Sequence, residues 1–166
     1  MRVLVTGGAG FIGSNLSAEL ARLGHAVTAV DNLSSARSDH KQFFIDNPNI
    51  ALIECCFASD HVIERISSGE FDVVFHNAAI PRVSYSVENP SETTDVNVSK
   101  TTRLLEACKG NIKRFVFASS SSVYGGADVL PTPSSHPKDP KSPYAWQKSC
   151  MEDLIRLFCS LYGMDA

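Results

Sequence analysis

TGGAGFIG, residues 6–13, follows directly on the apolar run RVLVT (2–6). Gly7, Gly10 and Gly13 stand three apart in it. Where a strand turns into a helix, each glycine has its own use. The first permits the tight turn, the second lets the backbone approach a pyrophosphate, and the third lets helix and strand pack closely. The unpaired N–H groups of the helix start then face the phosphate charge. As loop punctuation such a pattern means little, so its meaning depends on what surrounds it. Downstream, FIGSNLSAELARLG (11–24) has the helical period and ends on Gly24, a C-cap residue.

The same alternation continues along the chain. HAVTAV (25–30), NIALIE (49–54), DVVFH (72–76) and RFVFAS (114–119) read as further strands. They are apolar throughout rather than alternating, as strands covered on both faces are. PSETTDVNVSKTTRLLEACK (90–109) reads as a helix with its cap near Ser91, and a last helix is predicted from Tyr144 to Tyr162. PTPSSHPKDPKSP (131–143) is too proline-rich for either and reads as a loop. Strand–helix–strand succession implies right-handed crossovers and an α/β, doubly wound parallel sheet. With 166 residues, one such domain over 1–166 is expected.

Composition narrows the function. Apolar residues are 43% and charged residues 20%, and a net charge of −3 gives no reason to expect nucleic acid or an anionic membrane as a partner. No apolar run reaches the roughly eighteen residues of a membrane span. The five cysteines form no CxxC pair and no metal-ligand spacing, so no metal is expected. An odd count with a strand at the very start reads as a reducing, cytoplasmic protein with no targeting segment.

At the end of the second strand lies Asp31, spaced from the glycine turn to accept both ribose hydroxyls of an adenosine. A turn cap is the plainer alternative. Asn32 follows, with no arginine before Arg37, so a 2′-phosphate would meet like charge and NAD is favoured over NADP.

Near the other end, SPYAWQK (142–148) puts Tyr144 and Lys148 four apart, about 6 Å along a helix and on one face. Pro143 suits the first helical position. A nearby ammonium lowers a phenol from its usual value of about 10. The pair is common by chance, and ASSSSVYG (118–125) alone could be a polar loop.

Taken in order, TGGAGFIG, DNLS, HNAA, NV with KT, ASSSSVYG and SPYxxxK carry a resemblance. The chain resembles the extended short-chain dehydrogenase/reductase family, in its nucleotide-sugar epimerase/dehydratase branch, over essentially its whole length. The resemblance implies a Rossmann-like fold binding NAD, with a nucleotide sugar, UDP-hexose by preference, as substrate. It implies that Ala78 and Ala79 wall the cofactor ribose, and that Asn97 sits at the junction with the active-site helix. Phe11, Ile12, Asn32 and Phe57 join Gly7, Gly10, Gly13 and Asp31 in the implied cofactor site. Alignment on VYG makes Ser120 the catalytic hydroxyl beside Tyr144 and Lys148, which also reach the cofactor. A homodimer built on the helices of Asn97 and Tyr144 is implied too.

Departures from the family pattern matter as well. Cys55-Cys56 replaces the usual Gly-Asp after the third strand, removing a carboxylate that contacts adenine. Ser121 and Ser122 stand where dehydratases carry an acidic pair, and hydroxyls cannot move protons in that way at neutral pH. A UDP-sugar 4-epimerase, exchanging hydride reversibly at sugar C4, is therefore the expectation. The alternatives are a dehydratase or reductase of the same family, or a non-catalytic NAD-binding module. The resemblance further implies an N-terminal portion lacking the C-terminal substrate domain.

Overall fold

The structure is a computed structural model that describes residues 1–36, 38–126 and 129–166. Among these, β1 (Arg2–Thr6) leads through the glycine turn into α1 (Phe11–Arg22). Then come β2 (Ala26–Asp31), α2 (His40–Asp46), β3 (Ile50–Glu54), α3 (Asp60–Ser67), β4 (Val73–His76) and α4 (Val83–Glu88). α5 (Pro90–Thr94), a π-helical turn (Asp95–Lys100) and α6 (Thr101–Cys108) run on as one rod. β5 (Arg114–Phe117), a 3₁₀ turn (Ser121–Tyr124) and α7 (Pro143–Tyr162) complete the order.

All the strand pairs are parallel, in the order β3-β2-β1-β4-β5. The expected doubly wound sheet is therefore present. Thr6 is in register with Val30 on one side and His76 on the other, and His76 with Phe117. The carboxyl ends thus line up along one edge, and the order reverses between β2 and β4 at β1. Such a switch point leaves a crevice at that edge.

Each sheet face has its own core. Leu4, Val30, Val74 and Phe115 pack with Val62 and Ile66 of α3, Leu104 and Leu105 of α6, and Ile155 and Phe158 of α7. Val3, Val5, Val27 and Ala29 face the other way, towards Leu16 and Leu20 of α1 and the ring pair Phe43–Phe44 of α2. Burial on both faces is why these strands lack alternation. No helix among the described residues is long and apolar enough to cross a membrane.

The sequence expectations need four adjustments. His25 precedes β2, and Ala118 and Ser119 leave the sheet after β5, although the Ala118 N–H still reaches the His76 carbonyl at 3.1 Å. The predicted 90–109 helix starts at Pro90, after Asn89 rather than at a cap near Ser91. Its centre is π-helical, not α. Finally, α2, α3 and α4 are six to eight residues long and went unassigned individually, since two turns or fewer carry little period.

Candidate active site

The crevice at the carboxyl edge is a cleft of about 640 Å³. Its first wall is the glycine turn. Gly7 has φ +68, and its N–H donates to the Val30 carbonyl at 2.8 Å. A Cβ at Gly7 would lie 2.9 Å from the Ala78 nitrogen, and one at Gly13 only 2.1 Å from the Gly7 carbonyl oxygen. Both hydrogens are thus required by the packing, and Gly7 is required by its backbone as well. Gly10 lines the cleft between them, with Phe11 and Ile12 exposed at the start of α1.

Asp31 serves two ends. One carboxylate oxygen accepts from the Ala9 N–H at 3.0 Å and the other from the Leu33 N–H at 2.8 Å, so it pins both the glycine turn and the loop after β2. An ionised carboxylate accepts about four hydrogen bonds, so the cleft side keeps acceptor capacity for ribose hydroxyls. The cap and the ribose readings are compatible. Asn32 also lines the cleft and folds the next turn, accepting from the Ser34 N–H at 3.2 Å. Arg37 lies outside the described residues.

The facing wall comes from Phe57, Ala78 and Ala79, all of which line the cleft. Asn97 does not join them. It is 3% exposed, and its side chain is committed elsewhere. Its carbonyl accepts from the Ile80 N–H at 2.8 Å, and its amide donates to the Ile80 carbonyl at 3.1 Å and to Gln147 Oε1 at 2.8 Å. Gln147 Nε2 donates in turn to the Thr93 and Thr94 hydroxyls at 2.9 and 3.1 Å. Asn97 is absent from the cleft lining, and its amide braces the Ile80 segment against α7.

α7 brings in the other end of the site. Ser142 caps it, accepting from the Ala145 N–H at 3.2 Å, with Pro143 next, and the Tyr144 N–H donates to the buried Ser86 hydroxyl of α4 at 3.1 Å. Tyr144 and Lys148 are both buried and both line the cleft. Ser120 caps the 3₁₀ turn, its oxygen accepting from the Ser122 N–H at 3.2 Å and the Ser122 hydroxyl at 2.8 Å. It also lies near the Tyr144 phenol and favours its ionised form. The three residues predicted as catalytic are therefore together.

Their electrostatics differ from the sequence expectation. Burial pushes the Tyr144 phenol up from its ordinary value, and Ser120 offsets this only in part. Lys148 Nζ donates to the Ala118 carbonyl at 2.8 Å, and lies 4.5 Å from the Phe117 ring centre and 6.0 Å from that of Tyr144. Burial lowers Lys148 to about 8. At neutral pH the cofactor-free site holds a neutral phenol and an ammonium, because desolvation outweighs the attraction expected between them.

His76 entered only within the HNAAI stretch (76–80), and Ser86 and Gln147 were not singled out from sequence as parts of this site. Nor were Glu92 and Lys100, which line the cleft; Lys100 pairs with Asp95 at 2.9 Å. The sequence signal for the buried group was a polar residue on an apolar face, as with Gln147 one residue before Lys148.

These features converge on a known family. The chain matches the model of the NAD dependent epimerase/dehydratase family over residues 3–166. It belongs to that family. Among curated members of the family, UDP-glucose 4-epimerase of Mycolicibacterium smegmatis is 35% identical over 99% of this chain and 53% of its own length. UDP-glucose 4-epimerase of Thermotoga maritima, solved with UDP-glucose, superposes with a TM-score of 0.89 at 36% identity, covering 99% of this chain and 53% of that one. UDP-glucose 4-epimerase of Thermus thermophilus, solved with NAD, gives 0.84 at 33%, with 99% and 52% covered. The chain spans about half the length of the curated relatives it matches.

Proposed function

We propose that this chain binds NAD and acts as the cofactor-binding and catalytic part of a UDP-sugar 4-epimerase, cytoplasmic and homodimeric. The observation carrying the proposal is one cleft that holds a glycine cradle and Asp31 at one end and the Tyr144–Lys148 pair, with Ser120 near the phenol, at the other. The glycine cradle, which a Cβ would fill, and the carboxylate beside it fit a dinucleotide. Gly7, Gly10 and Gly13 would hold the pyrophosphate, Asp31 the adenosine ribose, and Lys148 the second ribose.

When bound, NAD supplies reversible hydride exchange at sugar C4. Tyr144, once ionised, takes the proton of the 4-hydroxyl and later returns it, and Ser120 hydrogen-bonds the same oxygen. Lys148, charged at neutral pH, stabilises the phenolate that takes the proton, and the positive nicotinamide would add to this. Ser121 and Ser122, in place of an acidic pair, leave elimination without its proton carriers.

The test uses NAD and UDP-galactose with wild-type protein and Tyr144→Phe, following UDP-glucose by proton NMR and cofactor affinity by calorimetry. Epimerisation that disappears in Tyr144→Phe while NAD affinity stays within about twofold supports the reading. A wild-type chain that binds NAD without turnover reduces it to the cofactor-binding module alone. Because the chain spans about half of its relatives, that second outcome has a specific basis: a sugar held only at its reacting carbon loses orientation.

A further inference from the structure

Beneath the cleft lies His76, fully buried and absent from the cleft lining, yet bonded on both ring nitrogens. Nδ1 is 2.7 Å from the Thr6 hydroxyl and Nε2 3.0 Å from the Thr101 hydroxyl. Two further bonds set the direction. The Ala78 N–H can only donate, and it does so to Thr6 Oγ1 at 3.2 Å. Thr101 Oγ1 donates to the Val96 carbonyl at 3.4 Å. Thr6 is 0% exposed, so its own proton needs a buried acceptor, and Nδ1 is the one within reach. Nδ1 is then unprotonated and Nε2 carries the hydrogen given to Thr101. Reversing the ring would leave the Thr6 proton with no place. A neutral ring is also what burial imposes, holding His76 at about 3 with a smaller contribution from the Lys148 ammonium.

Both ends of this relay meet the cleft. Ala78 is the wall against which Gly7 turns, and Val96 lines the cleft from the π-helical turn. We propose that His76, as the neutral Nε2–H tautomer, is a positioning residue for the cofactor: it fixes the Ala78 wall relative to the Val96 turn and so sets the width of the cleft. This rests on the NAD reading above.

Nitrogen-15 NMR of the protein at pH 7 is expected to show Nδ1 unprotonated and Nε2 protonated. Thr101→Val preserves shape but removes the acceptor, and should weaken NAD binding about tenfold, equivalent to about 1.4 kcal/mol. Thr101→Ser should restore the affinity. His76→Asn keeps an acceptor for Thr6 and loses the Thr101 arm, so it should match Thr101→Val, and the double variant should lose no more. If His76→Asn does not fold, the Thr101 pair carries the test. A protonated Nδ1, or unchanged affinity in folded Thr101→Val with the wild type binding NAD, overturns the positioning role alone. A wild-type chain with no affinity for NAD overturns the cofactor reading and this inference with it. A residue that merely filled the core would lower stability without moving the affinity.

Discussion

Lys148→Met should make the cofactor-free protein more stable and the cofactor harder to bind. Burial lowers Lys148 to about 8 from 10.5, so holding the ammonium in place at pH 7 costs about 3 kcal/mol, at about 1.4 kcal/mol per tenfold. Methionine fills a similar volume without charge. Against the gain stands the hydrogen bond to the Ala118 carbonyl, worth about 1–2 kcal/mol with the carbonyl left unpaired. The net expectation is a stabilisation of about 1–2 kcal/mol, read by urea denaturation with far-ultraviolet circular dichroism. The pH dependence identifies the cause. The native pKa lies below the unfolded one, so between pH 8 and 10.5 the unfolded chain binds more protons, and wild-type stability rises with pH through that window relative to the variant. Wild type should regain about 3 kcal/mol over that window, so the gap should close partway through it and reverse by pH 10.5. NAD affinity should fall in the variant, since the group that strains the fold is the one proposed to hold ribose. A variant less stable than wild type at pH 7, or a gap that ignores pH, would refute the reasoning.

Three further substitutions probe the cofactor end. Asp31→Ala should narrow the preference for NAD over NADP in calorimetric titrations, and should cost about 1–3 kcal/mol in stability because the Ala9 and Leu33 N–H groups lose their acceptor. Gly7→Ala, at φ +68 with its Cβ 2.9 Å from the Ala78 nitrogen, should destabilise by at least about 1–2 kcal/mol and remove NAD binding; an alanine variant of wild-type melting temperature would contradict the close approach. Cys56→Asp puts a carboxylate at a cleft-lining position and should tighten NAD binding, an effect whose absence would show that Cys56 lies away from adenine.

Legibility followed the range of the forces involved. Val3, Leu4 and Val5 are consecutive and buried, so the double-sided sheet could be read from local apolar runs. Gly7 and Gly13 were legible because their need is stereochemical, and Tyr144 with Lys148 because helical spacing is local. Asn97 was different. Its partners, Ile80 and Gln147, are 17 and 50 residues distant, so nothing near it distinguishes a brace from a ligand contact. The state of the Tyr144 phenol was illegible for a similar reason: desolvation sums the whole surroundings, whereas the Lys148 spacing invites attention to one charge. His76 is a buried histidine, and only the fold brings Thr6 and Thr101 to its two nitrogens.

The π-helical turn at Asp95–Lys100 gives the α5–α6 rod an unusual tolerance. Such a turn accommodates about one extra residue without changing the phase of the helix on either side. Upstream, Thr93 holds its bond to α7, and downstream Leu104 and Leu105 stay in the core. Removing the exposed Ser99 would therefore let the turn relax to an ordinary α-helical one while both anchors kept their facing. Chain length at this point is a free variable for packing but not for the cleft, whose Val96 side depends on the wider turn. A sequence one residue shorter here could keep the same core and have a differently shaped cofactor site.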